Sequence, residues 1–157
     1  MTDMRTEPQA TWISRLAIED LVPHIAKRMN ALDDAAQKIS LEPGLQELVR
    51  IRASQLNGCA YCLDEHSREA YDAGERARRL FALPVWREAP FFTARERAAL
   101  ELTEAITRIT DGPVTDEVYA TAAAQFTDVE MAELIWAITI INVWNRIAAT
   151  ARCWPFD

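Results

Sequence analysis

The stretch LIWAITIINVW, Leu134 to Trp144, is apolar on almost every side of a helix and is interrupted only by Thr139 and Asn142. A helix on the surface of a monomer carries an apolar stripe with a polar face opposite it. One that is apolar nearly all round belongs at the centre of a core or between subunits, and in a chain this small both roles are expected together. The helix should open near Thr127, where Glu130 three residues on completes a capping-box pattern, and run to about Arg152. Its apolar centre is too short to span a bilayer.

The rest of the chain points the same way. Only 4 glycines occur in 157 residues, the prolines mostly separate periodic segments, and no alternating β-branched run suggests a strand. The expectation is an all-α fold in one domain over residues 13–157, preceded by a flexible polar tail over residues 1–12 with Trp12 as a tether. A first helix should begin near Pro23 and place Ile25, Met29, Leu32, Ala36 and Ile39 on one face, until SLEPG stops it. A second, over about 44–56, carries Leu45, Leu48, Val49, Arg52 and Leu56. Asn57-Gly58 marks a turn, and a third helix follows from about Cys59 to Ala73, with Gly74 as its cap. ERARRLFAL reads as a short helix and PVWREAPFFT as a loop. Thr93 and Glu96 form a second capping-box pattern, opening a helix through Thr107. TDGPVTDE breaks it, and another helix covers about 115–124.

The formal charge of −7 disfavours non-specific binding to nucleic acid or to an anionic membrane surface. No compact basic block offsets it. MTDMRTEPQATW has neither the apolar core of a secretory signal nor the composition of a transit peptide. The expected location is the cytoplasm.

NGCAYCLDEHS, residues 57–67, carries the chemistry. Three cysteines are an odd number, and two of them form a CxxC pair with a histidine four residues further on. In a cytosolic chain such a pair is more often redox-active or metal-binding than part of a disulfide framework. An αα-hairpin about Asn57-Gly58 sets Glu47 opposite residue 68, within one turn of His66. His66 lies one turn beyond Cys62 on the same face, and Cys59 lies three residues before Cys62. The spacing therefore lines up Glu47, His66, Cys62 and Cys59. Each residue has a plainer reading alone: a solvated carboxylate, an exposed histidine, two packing thiols. It is their joint spacing that points to chemistry.

A thiol attacks as thiolate. A neighbouring histidine can take its proton, and a carboxylate behind the ring fixes the tautomer. The start of the third helix adds partial positive charge near Cys59, and a second thiol can resolve a sulfenic acid as a disulfide. These are the needs of a thiol peroxidase or a disulfide reductase. Structural zinc wants four ligands, whereas two cysteines and one histidine are at hand and His24 and Cys153 are distant in sequence. No metal or cofactor is expected. A non-catalytic helical oligomer with a redox-sensing or metal-binding dithiol stays open as an alternative.

ELVRIRASQLNGCAYCLDEHSREA resembles the core of the alkylhydroperoxidase D-like proteins of the carboxymuconolactone decarboxylase superfamily. LFALPVWREAPFFTARERAALELTEAIT and LIWAITIINVWNRIA resemble the segments that follow it, so the resemblance spans roughly residues 20–152. It implies an all-helical fold assembling as a homo-oligomer, a trimer or hexamer. It also implies a peroxidase in which Cys62 attacks the hydroperoxide, Cys59 resolves, and His66 and Glu47 relay protons. A protein or lipoyl-type dithiol would regenerate the pair. Where some family members have a second histidine between the cysteines this chain has Tyr61. The decarboxylases of the superfamily lack the CxxC pair, which disfavours lactone decarboxylation here. PVWREAPFF is a candidate cover for the dithiol, with Trp86 as an apolar wall.

Overall fold

A computed structural model of the chain describes residues 13–153. The tail over residues 1–12, with Trp12, lies outside the described residues. All regular structure among the described residues is helical: α1 (Ile18–Leu21), α2 (Pro23–Ala36), α3 (Pro43–Asn57), α4 (Ala60–Asp72), α5 (Ala77–Ala82), α6 (Ala94–Thr107), α7 (Asp116–Ala123) and α8 (Asp128–Ala151), with a 3-10 turn at Leu83–Val85. The fold is the expected all-α one, built around a central hairpin that carries the CxxC pair.

Local chemistry explains most boundaries. Both capping boxes form: Thr93 accepts from the Glu96 amide and Thr127 from the Glu130 amide, while each glutamate reaches back to the cap backbone. Thr115 caps α7 through the Val118 amide. Prolines occupy the first turns of α2 and α3, where their missing N–H costs nothing. Gly58, at φ 65°, ends α3 in the left-handed region, which a side chain would strain.

The hub is α3, which packs against α4, α6 and α8. One core cluster joins Leu45 and Val49 of α3 to Leu102 of α6 and to Leu134 and Ile138 of α8. A second packs Leu48 and Ile51 against Leu83, Trp86, Phe92 and Leu100. A third, smaller one holds Ala53, Cys59, Cys62, Ile141 and Ala148. The hairpin is locked onto α8 by amides. Asn57 Nδ2 donates to Asn145 Oδ1 at 2.8 Å and to Asn142 Oδ1 at 3.0 Å, and Asn145 Nδ2 donates to Ser54 Oγ at 3.0 Å. The two asparagines of α8 thus tie down the C-terminal end of α3, just before the turn into the dithiol.

Two expectations need correction. A one-turn helix, α1, precedes Pro23; it is too short for periodicity to reveal. The apolar face expected for the first helix is not buried within the chain. Ile25 is 60 % exposed and Leu32 42 %, Ala36 is buried, and Ile39 falls beyond the helix end. Beyond its apolar centre, α8 in full has 24 residues and is long and apolar enough by length and composition to cross a membrane. Half of its most apolar 18 residues are buried, with Leu134, Ile138 and Ile141 in the core, as in a central helix of a folded domain. Ile135, Trp136 and Val143 on its other face are uncovered, with Trp136 57 % exposed.

Candidate active site

Cys59 is the N-cap of α4, and its Sγ accepts the Cys62 amide at 3.3 Å. An N-cap residue sits where the first-turn amides lack helical partners, so the CxxC spacing brings both sulfurs to the same end of the helix. The two cysteines are joined as a disulfide, with Cα atoms 5.5 Å apart. Both are buried. Only Cys62 lines the neighbouring cavity, of about 230 Å³, which it shares with His66.

His66 Nδ1 lies 3.0 Å from Glu47 Oε2 across the hairpin, and 3.4 Å from Glu69 Oε2 on its own helix. The structure thus brings His66 against Glu47 and sets Cys62 and His66 on one cavity wall. Glu47 Oε1 takes a short ion pair from Arg50, whose guanidinium also reaches Gln46 at 3.3 Å. Burial pushes the Glu47 carboxyl up, but the hydrogen bond and charge of His66, together with Arg50, outweigh it and hold the group below the usual carboxylate range. Glu47 is therefore a charged acceptor behind the imidazole.

Tyr61, between the cysteines, donates to Glu65 Oε1 at 3.3 Å. Burial first, then the charges of Glu65 and Glu19, push its phenol up to about 12. It donates a hydrogen bond and does not serve as a base near neutrality. Ile141, Trp144 and Ile147 of α8 form the apolar wall of the cavity, while Glu19, Asp33 and Glu65 stand at its polar side. A larger cleft of about 760 Å³ lies across Glu47, Arg50 and Glu69, and neither cysteine lines it.

The expected cover over residues 84–92 is not there. Trp86 is buried in the second core cluster, and its Nε1 donates to Glu104 Oε1 at 2.8 Å. Arg52 and Arg87 ion-pair with the same carboxylate, and a buried indole N–H is held where its acceptor is. His24 is exposed. Cys153 is half-buried, packs on the cysteine cluster and lines the same cavity, while burial and then Glu19 push its thiol up. Sequence reasoning missed Arg50 and Glu69, although their spacing of three from Glu47 and from His66 was a usable signal. The wall from α8 had no local signal at all.

The carboxymuconolactone decarboxylase family matches over residues 23–105, more than half of the chain and including all four residues of the row. The chain belongs to that family. It is 36 % identical over 134 residues to the uncharacterized protein YdfG of Bacillus subtilis, covering 85 % of this chain and 91 % of YdfG. A crystal structure from Agrobacterium tumefaciens, of a protein of unknown function with a proposed role in antioxidant defence as AhpD, superposes with a TM-score of 0.88. It is 35 % identical, with 92 % of this chain and 100 % of that one covered. The debrominase Bmp8 shares the fold at a TM-score of 0.79 and 20 % identity, over 87 % of this chain and 74 % of its own. Family and neighbours point to an enzyme of the AhpD and carboxymuconolactone decarboxylase type.

Proposed function

We propose that this protein is a dithiol peroxidase that reduces organic hydroperoxides. The observation that carries the reading is that Cys62 and His66 face one cavity while Glu47 stands 3.0 Å behind the imidazole. In the reduced protein His66 takes the Cys62 proton, and the thiolate attacks the terminal oxygen of the hydroperoxide. The O–O bond breaks, and the alkoxide leaves as alcohol with the proton returned by the imidazolium. Cys62 is left as a sulfenic acid. The Cys59 thiol attacks that sulfur, the S–S bond forms, and hydroxide leaves as water with the Cys59 proton. The sum is one hydroperoxide and two thiols giving alcohol, water and a disulfide.

The apolar wall of Ile141, Trp144 and Ile147 suits an alkyl group. Regeneration needs a protein or lipoyl-type dithiol. Its thiolate would attack Cys62, the cysteine open to the cavity, and expel Cys59, whose leaving sulfur accepts the Cys62 amide. In the assembled protein, the exposed face of Ile135, Trp136 and Val143 would be covered by another copy in a trimer or hexamer.

Single-turnover thiol counting tests the reading. Pre-reduced protein is mixed with cumene hydroperoxide, and free thiols are titrated against time. Rapid loss of two thiols, abolished in Cys62→Ser, is the expected result. Thiols that resist peroxide but oxidise with a disulfide substrate would replace the peroxidase with a disulfide reductase. Inertness to both would leave a structural dithiol.

A further inference from the structure

We infer that Glu47, His66 and Glu69 form a binding site for a transition-metal dication of the Zn²⁺ class, at the position where the proton relay operates. One imidazole nitrogen and one oxygen from each carboxylate lie within 4.8 Å of one another. Their separations from Nδ1 are 3.0 Å and 3.4 Å. Ligands about 2.1 Å from a zinc ion stand about 3.0–3.4 Å apart in octahedral or tetrahedral arrangements. Each carboxylate thus stands at ligand spacing from Nδ1, and water from the cavity would complete the shell. Imidazole with carboxylates suits this class of metal better than it suits Ca²⁺ or Mg²⁺.

Two further observations favour the site. Arg50 is bound to Oε1 of Glu47, which leaves Oε2 as the ligand atom facing His66. Glu19, Asp33 and Glu65 also line the adjoining cavity, against Arg50 as its one cation among the described lining residues. Such a field concentrates dications at the mouth. The site differs from a CxxC zinc knuckle because it needs neither cysteine.

Nδ1 cannot hold a metal and also carry a proton toward Glu47. Occupancy therefore removes the base and holds the dithiol out of reaction, a consequence that rests on the peroxidase reading; the binding itself does not. The test is isothermal titration of Zn²⁺ into untagged protein with the Cys59–Cys62 disulfide formed, in a Cys153→Ser background so that no thiol competes. One equivalent is expected to bind, with Kd raised at least tenfold in both His66→Gln and Glu69→Gln, each shown to be folded by circular dichroism. Unchanged affinity in either variant, or no binding at millimolar Zn²⁺, overturns the site. A failed peroxide assay with intact binding would remove only the relay.

Discussion

Glu47 and His66 are 19 residues apart in sequence and 3.0 Å apart across the α3–α4 hairpin, and Arg50 holds the opposite oxygen of the same carboxylate. One carboxylate therefore serves a guanidinium and an imidazole. The arginine keeps it charged and the imidazole takes its orientation from it. Removing Arg50 takes away one of the two groups that hold Glu47 below the usual range. In Arg50→Met the Glu47 pKa rises, so its charge is lost at a higher pH on acidification. The acid limb of peroxide-driven thiol oxidation should move to higher pH, and rates measured across a buffer series would show it. An unmoved limb would mean that Glu47 does not set it.

The proposed mechanism gives the two cysteines different roles, so their variants should separate. Cys62→Ser should abolish peroxide-dependent thiol loss. Cys59→Ser should still react once and stop at a Cys62 sulfenic acid, which dimedone labelling with mass spectrometry would detect. His66→Gln should slow the first step by about 10²–10⁴-fold, the usual worth of a positioned general base. Labelling at position 59 in Cys62→Ser would reverse the assignment.

Acid should destabilise the fold partly through Glu104. Burial raises this carboxyl, but the Trp86 hydrogen bond, Arg87 and Arg52 together bring it below the ordinary value. A group whose folded pKa is depressed stabilises fully above its unfolded pKa, about 4.3 for glutamate, and loses that contribution as pH falls through the folded value. The thermal midpoint should therefore fall below about pH 4.3 in the wild type. Glu104→Gln should be less stable at neutral pH and show a shallower fall on acidification. Parallel curves would show that another carboxylate governs the transition.

Asn145 is fully buried, accepts from Asn57 and donates to Ser54. Asn145→Ala removes one bond from each, while Asn57 keeps Asn142 and Ser54 keeps the Arg50 carbonyl, and should cost about 1–3 kcal/mol in denaturant unfolding, the sum of two hydrogen bonds at about 0.5–1.5 kcal/mol each. The same variant loosens the turn before Cys59, so the reduction potential of the dithiol should shift with stability. A loss well under about 0.5 kcal/mol, within the range of ordinary surface substitutions, would show that Asn145 is no lock.

Trp136 is 57 % exposed on the outer face of α8. If another copy covers it, Trp136→Asp should lower the sedimentation coefficient toward that of a monomer without loss of helical content. An unchanged coefficient would place the interface elsewhere.

Sequence alone carried a good part of this site, for reasons confined to short range. Thr93-Glu96 and Thr127-Glu130 satisfy first-turn amides from residues within one helical turn, so they are legible as local patterns. Cys59 caps the helix that carries Cys62 and His66, and Gly58 bends the chain so that this helix returns alongside Glu47. A residue's position on a helix face follows from periodicity alone.

What covers that face does not. Trp86 reads as an available wall, yet it turns to Glu104 because a buried N–H must find an acceptor. Asn142 reads as an interruption in an apolar run, yet with Asn145 it fastens α8 to the end of α3. Ile25 and Leu32 read as core and stand exposed. In each case the outcome depends on a partner far along the chain. The sequence determined the longer helices, the turn and the helix faces that carry Glu47, His66, Cys62 and Cys59. Tertiary packing decided which cavity Cys62 faces, which charges stand around His66 and which apolar faces stay open, because burial and charge pairing depend on neighbours that only the folded chain brings together.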